Sequence, residues 1–322
     1  MASVATVPSA VYADAFRDHE RFLWGLCYRL TGTAADADDL VQETFVRAME
    51  RPPARTDEPW RPWLVRVAMN LGRDLLRRRK RRAYIGPWLP SPIDTGDQES
   101  PAAYEPTVDG QTTEGRYDLL ESVSYAFLLA LEALTPQQRA VLLLRDVFDY
   151  SVRETADALG ISEPNVKTTH HRSRAAMRDY DRNRRVPTRA LQERTREALG
   201  KFMASMASGD MQAMESLLAD SVRAVNDGAG QFHAARKAIL GPRRVARFHY
   251  NIGYRRQVGA HLAGRMINGL PAIVGEFTDG RPGEPPRFVM QCEVGADGRI
   301  TQLLSVVASR KLTAIDFTFG QS

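Results

Sequence analysis

The sequence predicts a multi-domain protein, with two all-α modules joined by a linker and followed by an α+β domain. Three observations predict it. Apolar residues recur at helix spacing through residues 12–82 and again through 118–185. Between them lies a stretch rich in Pro, Gly, Ser and acidic residues with no sustained apolar period. Past Pro187, helical patterns give way to alternating, strand-like runs. A length of 322 residues suits two or three domains, and 43% hydrophobic with 26% charged residues is ordinary for a globular chain.

In the first module, residues 10–83, Phe16, Phe22, Leu23, Leu26, Cys27 and Leu30 mark a helix that Gly32 breaks. Thr33 is placed to cap a second helix carrying Leu40, Val41, Phe45 and Met49, which Arg51-Pro52-Pro53 stops. Trp60, Trp63, Leu64, Val67, Ala68, Leu71 and Leu75 mark a third helix, which runs into the consecutive basic residues Arg77 to Arg82. Its polar face offers Asn70, Arg73 and Asp74. Aromatics beside a basic face suit stacking on unpaired bases, the role assigned to Trp60, whereas Trp63 is expected in the core.

Residues 84–117 are expected to be a linker, yet Tyr84-Ile85-Gly86-Pro87-Trp88-Leu89-Pro90 sets aromatics beside prolines, which a flexible tether does not need. In the second helical module, residues 118–185, Thr135-Pro136-Gln137-Gln138 and Ser151-Val152-Arg153-Glu154 are helix starts of the capping-box type. Gly160 ends the short helix after Ser151, and Ser162 caps a longer basic one, which together make a helix-turn-helix. Val166 packs inward toward Ala156 and Leu159. The opposite face presents Glu163, Asn165, Lys167, Thr168, His171, Arg172 and Arg174 to base edges and phosphates.

In residues 188–322, helices are expected over about 189–208, 210–218 and 236–254. Strands follow over 261–267, 271–278, 287–294 and 300–307, the last two joined through Gly295-Ala296-Asp297-Gly298. This order suggests helices against one curved antiparallel meander.

The net charge is +5, and its clustering at residues 77–82 and through Lys167, Arg172, Arg174, Arg178, Arg182, Arg184 and Arg185 makes a footprint for a polyanion. No apolar run approaches the ~20 residues that span a bilayer, and Met1 to Ala10 lacks the basic start and apolar stretch of a secretory signal. Two distant cysteines, Cys27 and Cys292, argue against a disulfide framework. A cytoplasmic protein without a membrane partner is expected, and neither a metal site nor a cofactor-binding motif is visible.

These residues resemble a known family. Tyr28-Arg29-Leu30-Thr31-Gly32, Ala34 to Leu40 and Val41-Gln42-Glu43-Thr44-Phe45 are similar to the sigma-2 domain of extracytoplasmic-function (ECF) sigma factors. Trp63 to Leu71 and Asp74 to Arg79 resemble its promoter-melting stretch, and Leu134 to Val141 with the helix-turn-helix resembles sigma-4. The segment Tyr84 to Pro92 is similar to the Trp-Leu-Pro linker of the subgroup with a fused SnoaL-like domain, an α+β cone, which the chain from Thr188 onward resembles. Asp227-Gly228-Ala229-Gly230-Gln231 and Ala308-Ser309-Arg310-Lys311-Leu312 stand where that subgroup carries its Asp-Gly-Gly-Gly-Lys and Asn-Pro-Asp-Lys motifs.

The resemblance implies an alternative sigma factor that directs RNA polymerase core enzyme to specific promoters and is not an enzyme. By position, Asp36, Asp39, Gln42, Glu43 and Arg47 would meet the β′ clamp helices, and sigma-4 the β flap. Trp60, Asn70, Arg73, Asp74, Arg77 and Arg78 would engage the −10 element. The −35 element would fall to Asn165, Lys167, Thr168, His171, Arg172 and Arg174. Trp88, Leu89, Asp227 and Lys311 would couple the linker to the C-terminal domain, which would modulate activity in cis without a separate anti-sigma factor. His170 stands where that family has a buried Leu and is expected as a neutral core histidine. The alternative is a SnoaL-like enzyme or small-molecule-binding module fused to a helix-turn-helix regulator, with His233, His249, His261 and Asp227 lining a pocket. A small ligand in the C-terminal domain fits either reading.

Overall fold

The computed structural model describes residues 9–53, 59–79, 84–96, 116–255 and 260–319. The chain forms two compact units, Met1–Arg82 with Gln98–Arg185, and Ala83–Asp97 with Val186–Ser322.

The first unit opens with three helices, α1 (Ser9–Thr31), α2 (Ala34–Glu50) and α3 (Trp60–Arg79). Leu23, Leu26 and Leu30 of α1 are fully buried. A Cβ on Gly72 of α3 would lie 2.4 Å from Leu30 Cδ2, so any larger residue there would force the Leu30 side chain to shift. Thr33 stands at the N-cap of α2, but its side chain makes no cap bond. Its Oγ1 instead accepts from Arg79 at 2.5 Å, which corrects the expected capping role.

Short helices α4 (Leu119–Ser122), α5 (Tyr125–Ala130) and α6 (Pro136–Leu142) follow, the last continued by a π-turn over Leu143–Val147. The helix-turn-helix is α7 (Val152–Leu159) and α8 (Glu163–Ala176), and α9 (Arg178–Arg182) ends the unit. Both capping boxes form, Thr135 with Gln138 and Ser151 with Glu154. Gly160 closes α7 in the left-handed conformation, at φ 64°.

The two helical modules that the sequence separates into domains lie together in this unit. Buried arginines tie them. Arg29, 2% exposed, donates to Ser122 Oγ at 2.7 Å, to the Leu119 carbonyl at 3.0 Å and to the Gly25 carbonyl at 2.9 Å. Burial lowers its pKa to about 10, so it remains charged at neutral pH. Arg139 reaches the Leu30 carbonyl at 3.0 Å, and the Leu131 carbonyl and Glu132 at 2.8 Å. The Leu30 carbonyl stands at the C-terminal end of α1, where carbonyls lack intrahelical partners, and the Arg139 guanidinium satisfies it. Glu121, wholly buried, accepts from Tyr180 at 2.6 Å and pairs with Arg184.

The second unit packs α10 (Arg189–Ser208), α11 (Met211–Ser216) and α12 (Pro242–Arg255) on one sheet. Its strands are β1 (Leu218–Asp227), β2 (Ile239–Leu240), β3 (Ala260–Ile267), β4 (Leu270–Phe277), β5 (Arg287–Val294) and β6 (Ile300–Val306), in the order β2-β1-β6-β5-β4-β3. The β3 to β6 strands form the expected meander, with Cys292 opposite Leu303 and Val274 opposite Val289. The sheet is nevertheless mixed, because β1, which the sequence left within a helix end and an unassigned stretch, pairs parallel to β6. The third helix begins at Pro242, later than the pattern suggested. Phe202, Met214, Val222, Met290, Cys292 and Leu303 belong to the core that fills the space between helices and sheet.

Candidate nucleic-acid interface and linker clamp

The recognition helix α8 is held by Val166, Thr169 and Ser173, all buried, and started by Ser162, whose Oγ accepts from the Asn165 amide at 3.4 Å. That fixes the outward face. Lys167, His171 and Arg172 are exposed there and have no hydrogen bond or ion pair among the described residues. Thr168 bonds the Pro164 carbonyl at 3.0 Å. Asn165 is partly engaged, since its Oδ1 accepts from Thr169 Oγ1 at 3.0 Å. Arg174 points back toward Asp146, 3.5 Å away. His170, expected as a neutral core histidine, is only partly buried. Its Nε2 lies 2.8 Å from Asp146 Oδ1, and its side chain keeps 18% exposure. A buried carboxylate on the neighbouring segment supplies a polar partner where a leucine would have packed.

On α3, Asp74, Arg77 and Arg78 are exposed, with Arg77 paired to Asp74 at 2.7 Å. Arg73 is half-buried and donates to Asn70 Oδ1 at 2.9 Å and to the Leu159 carbonyl, at the end of α7, at 3.2 Å. Burial lowers its pKa. Residues expected at the −10 element therefore also contact the helix-turn-helix. The tryptophans depart from expectation, Trp60 in being core and Trp63 in being only partly so. Trp60 is 7% exposed and meets Tyr12 edge-on at 5.5 Å, while Trp63 is half-buried. As packed here, Trp60 offers no ring face for stacking. Lys80, Arg81 and Arg82 of the basic run lie outside the described residues.

On α2, Asp39, Gln42, Glu43 and Arg47 share an exposed face, with Arg47 bonded to Glu43 at 2.9 Å. Val46 and Met49, 41% and 57% exposed, extend it with apolar surface that the sequence reading did not single out. Asp36 departs from this face: it is half-buried and bonded to Arg79 at 3.1 Å.

In the second unit, residues 84–96 are seated on the α+β domain rather than forming a free linker. Lys311 and Asp227, 2% and 0% exposed, pair at 2.6 Å. Asp227 also accepts from Tyr84 Oη at 2.6 Å and from the Leu89 amide at 2.8 Å. Lys311 Nζ donates to the Leu89 carbonyl and stands 4.6 Å from the Trp88 ring centroid. Leu89 itself is 1% exposed. The sequence reading missed the far end of this clamp. Asn268 Oδ1 accepts from the Ile93 amide at 3.0 Å, its own amide donates to the Ile93 carbonyl at 3.0 Å, and Asp94 forms an antiparallel bridge with Ile267.

The residues of the enzyme alternative do not converge. His249 is buried edge-on against Phe202 at 5.4 Å, its Nδ1 is 2.9 Å from the Val245 carbonyl, and burial lowers its pKa to about 4. His261 stacks on Phe319 at 5.7 Å, Asp227 is consumed by the clamp, and only His233 of the histidines lines the cavity beside the 226–236 loop. No group of three or more His, Cys, Asp or Glu suited to a metal occurs among the described residues. No described helix is long and apolar enough to cross a membrane.

The three-helix module with its basic helix end and the capped helix-turn-helix both match models of the sigma-70 class of promoter-binding initiation factors. Residues 15–82 match the model of Sigma-70 region 2, and residues 124–177 that of Sigma-70, region 4. The chain is 32% identical over 308 residues to the ECF RNA polymerase sigma factor SigJ of Mycobacterium tuberculosis, covering 93% of this chain and 92% of that one. It is 37% identical over 171 residues to SigG of the same species, across 49% of this chain and 45% of the relative. The crystal structure of M. tuberculosis SigJ matches 95% of this chain and all of its own length, with 28% identity and a TM-score of 0.68. The chain belongs to the ECF RNA polymerase sigma factors. It is an alternative sigma factor, whose partners are RNA polymerase core and promoter DNA, and it is not an enzyme. Its C-terminal unit is the α+β domain expected from the sequence, helices packed on one mixed sheet.

Proposed function

We propose that this sigma factor is regulated in cis by its own SnoaL-like domain, which grips the segment connecting region 2 to region 4. The observation that carries this reading is the buried Lys311–Asp227 pair holding Tyr84 and both backbone groups of Leu89. A segment so held cannot move independently of the domain that holds it, and being one chain makes the grip effectively intramolecular, on the order of millimolar for short tethers. The factor then needs no separate anti-sigma protein and works in the cytoplasm, where polymerase is.

Within that reading, Asn165, Lys167, Thr168, His171, Arg172 and Arg174 read the −35 element, while Asn70, Arg73, Asp74, Arg77 and Arg78 serve the −10 element. Asp39, Gln42, Glu43 and Arg47, with Val46 and Met49, form the surface for the β′ clamp helices. The exposure of the α2 face and of Lys167, His171 and Arg172 supports these roles. Arg73 must exchange the Leu159 carbonyl for DNA, so opening between α3 and α7 precedes promoter melting. Run-off transcription with core polymerase tests the proposal, comparing the full chain with one truncated after Arg185 and with Lys311→Met. A changed promoter-specific yield in both variants supports cis regulation. Unchanged yield in both overturns it.

A further inference from the structure

A cavity of about 280 Å³ lies between the 226–236 loop and Ile85–Pro87, with Gly283 in its wall. It shares no residue with the packed core between helices and sheet. Asn226 lines it, is 6% exposed, and has its Nδ2 buried without a hydrogen-bond partner. A buried amide donor is rarely left so, because desolvation is not repaid. Arg236 lines the same cavity and has no carboxylate or other acceptor among the described residues. The carboxylate next to Asn226 in the chain, Asp227, is neutralised by Lys311 and accepts from Tyr84, Leu89 and Ala229, so it does not oppose an anion here. The remaining wall includes Ile85, Pro87, Phe232 and Ala234, which suit an apolar body.

We propose that this cavity binds a small organic acid, whose carboxylate oxygens accept from Arg236 and from Asn226 Nδ2 and whose hydrocarbon part lies on Ile85 and Phe232. Arginine's planar fork matches a carboxylate, and one guanidinium balances one negative charge. Such a ligand touches both the 226–236 loop and the segment that Lys311 and Asp227 clamp. Its occupancy therefore strengthens the hold on residues 84–96, which goes beyond cis regulation and makes it responsive to a metabolite.

The test uses the full chain with benzoate and butyrate as probes, benzamide as the uncharged counterpart, and inorganic phosphate as the competing oxyanion. Saturation-transfer NMR and dialysis read binding, and a thermal melt reads the second unit. Saturable binding of benzoate or butyrate, not matched by benzamide or phosphate, is expected. Arg236→Gln, at an exposed side chain, should weaken it by about tenfold or more, the loss of one charged hydrogen-bonding partner. Asn226→Leu should abolish it while raising the melting temperature of the ligand-free protein, because an unpaired amide is replaced by a hydrocarbon of similar shape. The inference is overturned if neither carboxylate binds at millimolar concentration, if phosphate alone binds, if Arg236→Gln leaves affinity unchanged, or if Asn226→Leu lowers the ligand-free melting temperature. These readouts do not involve transcription, so they succeed or fail independently of the regulatory role.

Discussion

Replacing Lys311 by Met keeps the length of the side chain and removes its charge. What remains is a carboxylate at Asp227 with 0% side-chain exposure, still accepting from Tyr84 and the Leu89 amide but without a counter-charge. Breaking a buried pair by deleting one partner costs about 3–5 kcal/mol, mostly the penalty of the stranded charge. The stranded carboxylate regains water only if residues 84–96 lift away, so the cost falls on that segment's closure. At about 1.4 kcal/mol per decade, opening becomes more frequent by roughly two to three and a half decades, up to full release. Hydrogen exchange of the Leu89 amide reads this directly. The lost cation–π contact with Trp88, about 0.5–2 kcal/mol, belongs to the same truncation and is not added. Asp227→Asn combined with Lys311→Met strands no charge and should cost clearly less than the sum of the two single changes. The reasoning is refuted if Lys311→Met leaves Leu89 protection within about threefold, or if the double change costs that sum.

Burial of His249 creates a pH dependence in the second unit. Its pKa falls from 6.5 to about 4, so between those values the unfolded chain binds a proton that the folded chain does not. Stability therefore rises as pH goes from about 4 to 6.5 and is lost on acidification, by about 3 kcal/mol at most. Denaturant midpoints across that range check it, and His249→Phe should flatten this component. In the recognition helix, Arg172→Ala should cost about 1–3 kcal/mol of promoter affinity and relax preference at one base pair. Lys167→Ala, if it meets phosphate, should weaken all sequences alike and reduce the salt slope by about 1. Holoenzyme binding across salt and promoter variants distinguishes the two roles. Thr135→Ala removes one arm of the capping box on α6 and should lower stability of the first unit by about 1 kcal/mol, with Ser restoring most of it.

The helical half was legible because its signals are local. Thr135 with Gln138, Ser151 with Glu154, and Gly160 each announce a helix end within four residues, and the structure uses all three. The β1 strand was not legible, because it is buried along much of its length and lacks clean alternation. Its parallel partner β6 lies far along the chain, a pairing no local period reveals. His170 was misread because its partner, Asp146, belongs to the preceding segment and looks like an ordinary polar residue. Trp60 was assigned to stacking from its neighbourhood in sequence, whereas packing against Tyr12 decides its place. Trp88, Leu89, Asp227 and Lys311 were found through the family resemblance, whereas the bond from Tyr84 to Asp227 is visible only in the fold. Asn268 escaped because a turn asparagine at φ 50° reads as turn chemistry alone.

The clamped segment has a consequence for the moment of synthesis. Residues 84–96 emerge early, but Lys311, which locks them, lies near the far end, after both DNA-binding regions. From Arg185 to Lys311, translation at about 5–20 residues per second takes roughly 6–25 s. During that interval the ribosome carries both promoter-reading regions while the clamp on residues 84–96 is unbuilt. Under the proposed cis regulation, each newborn copy therefore passes through an ungoverned phase that ends only when Lys311 is free to close on its partners.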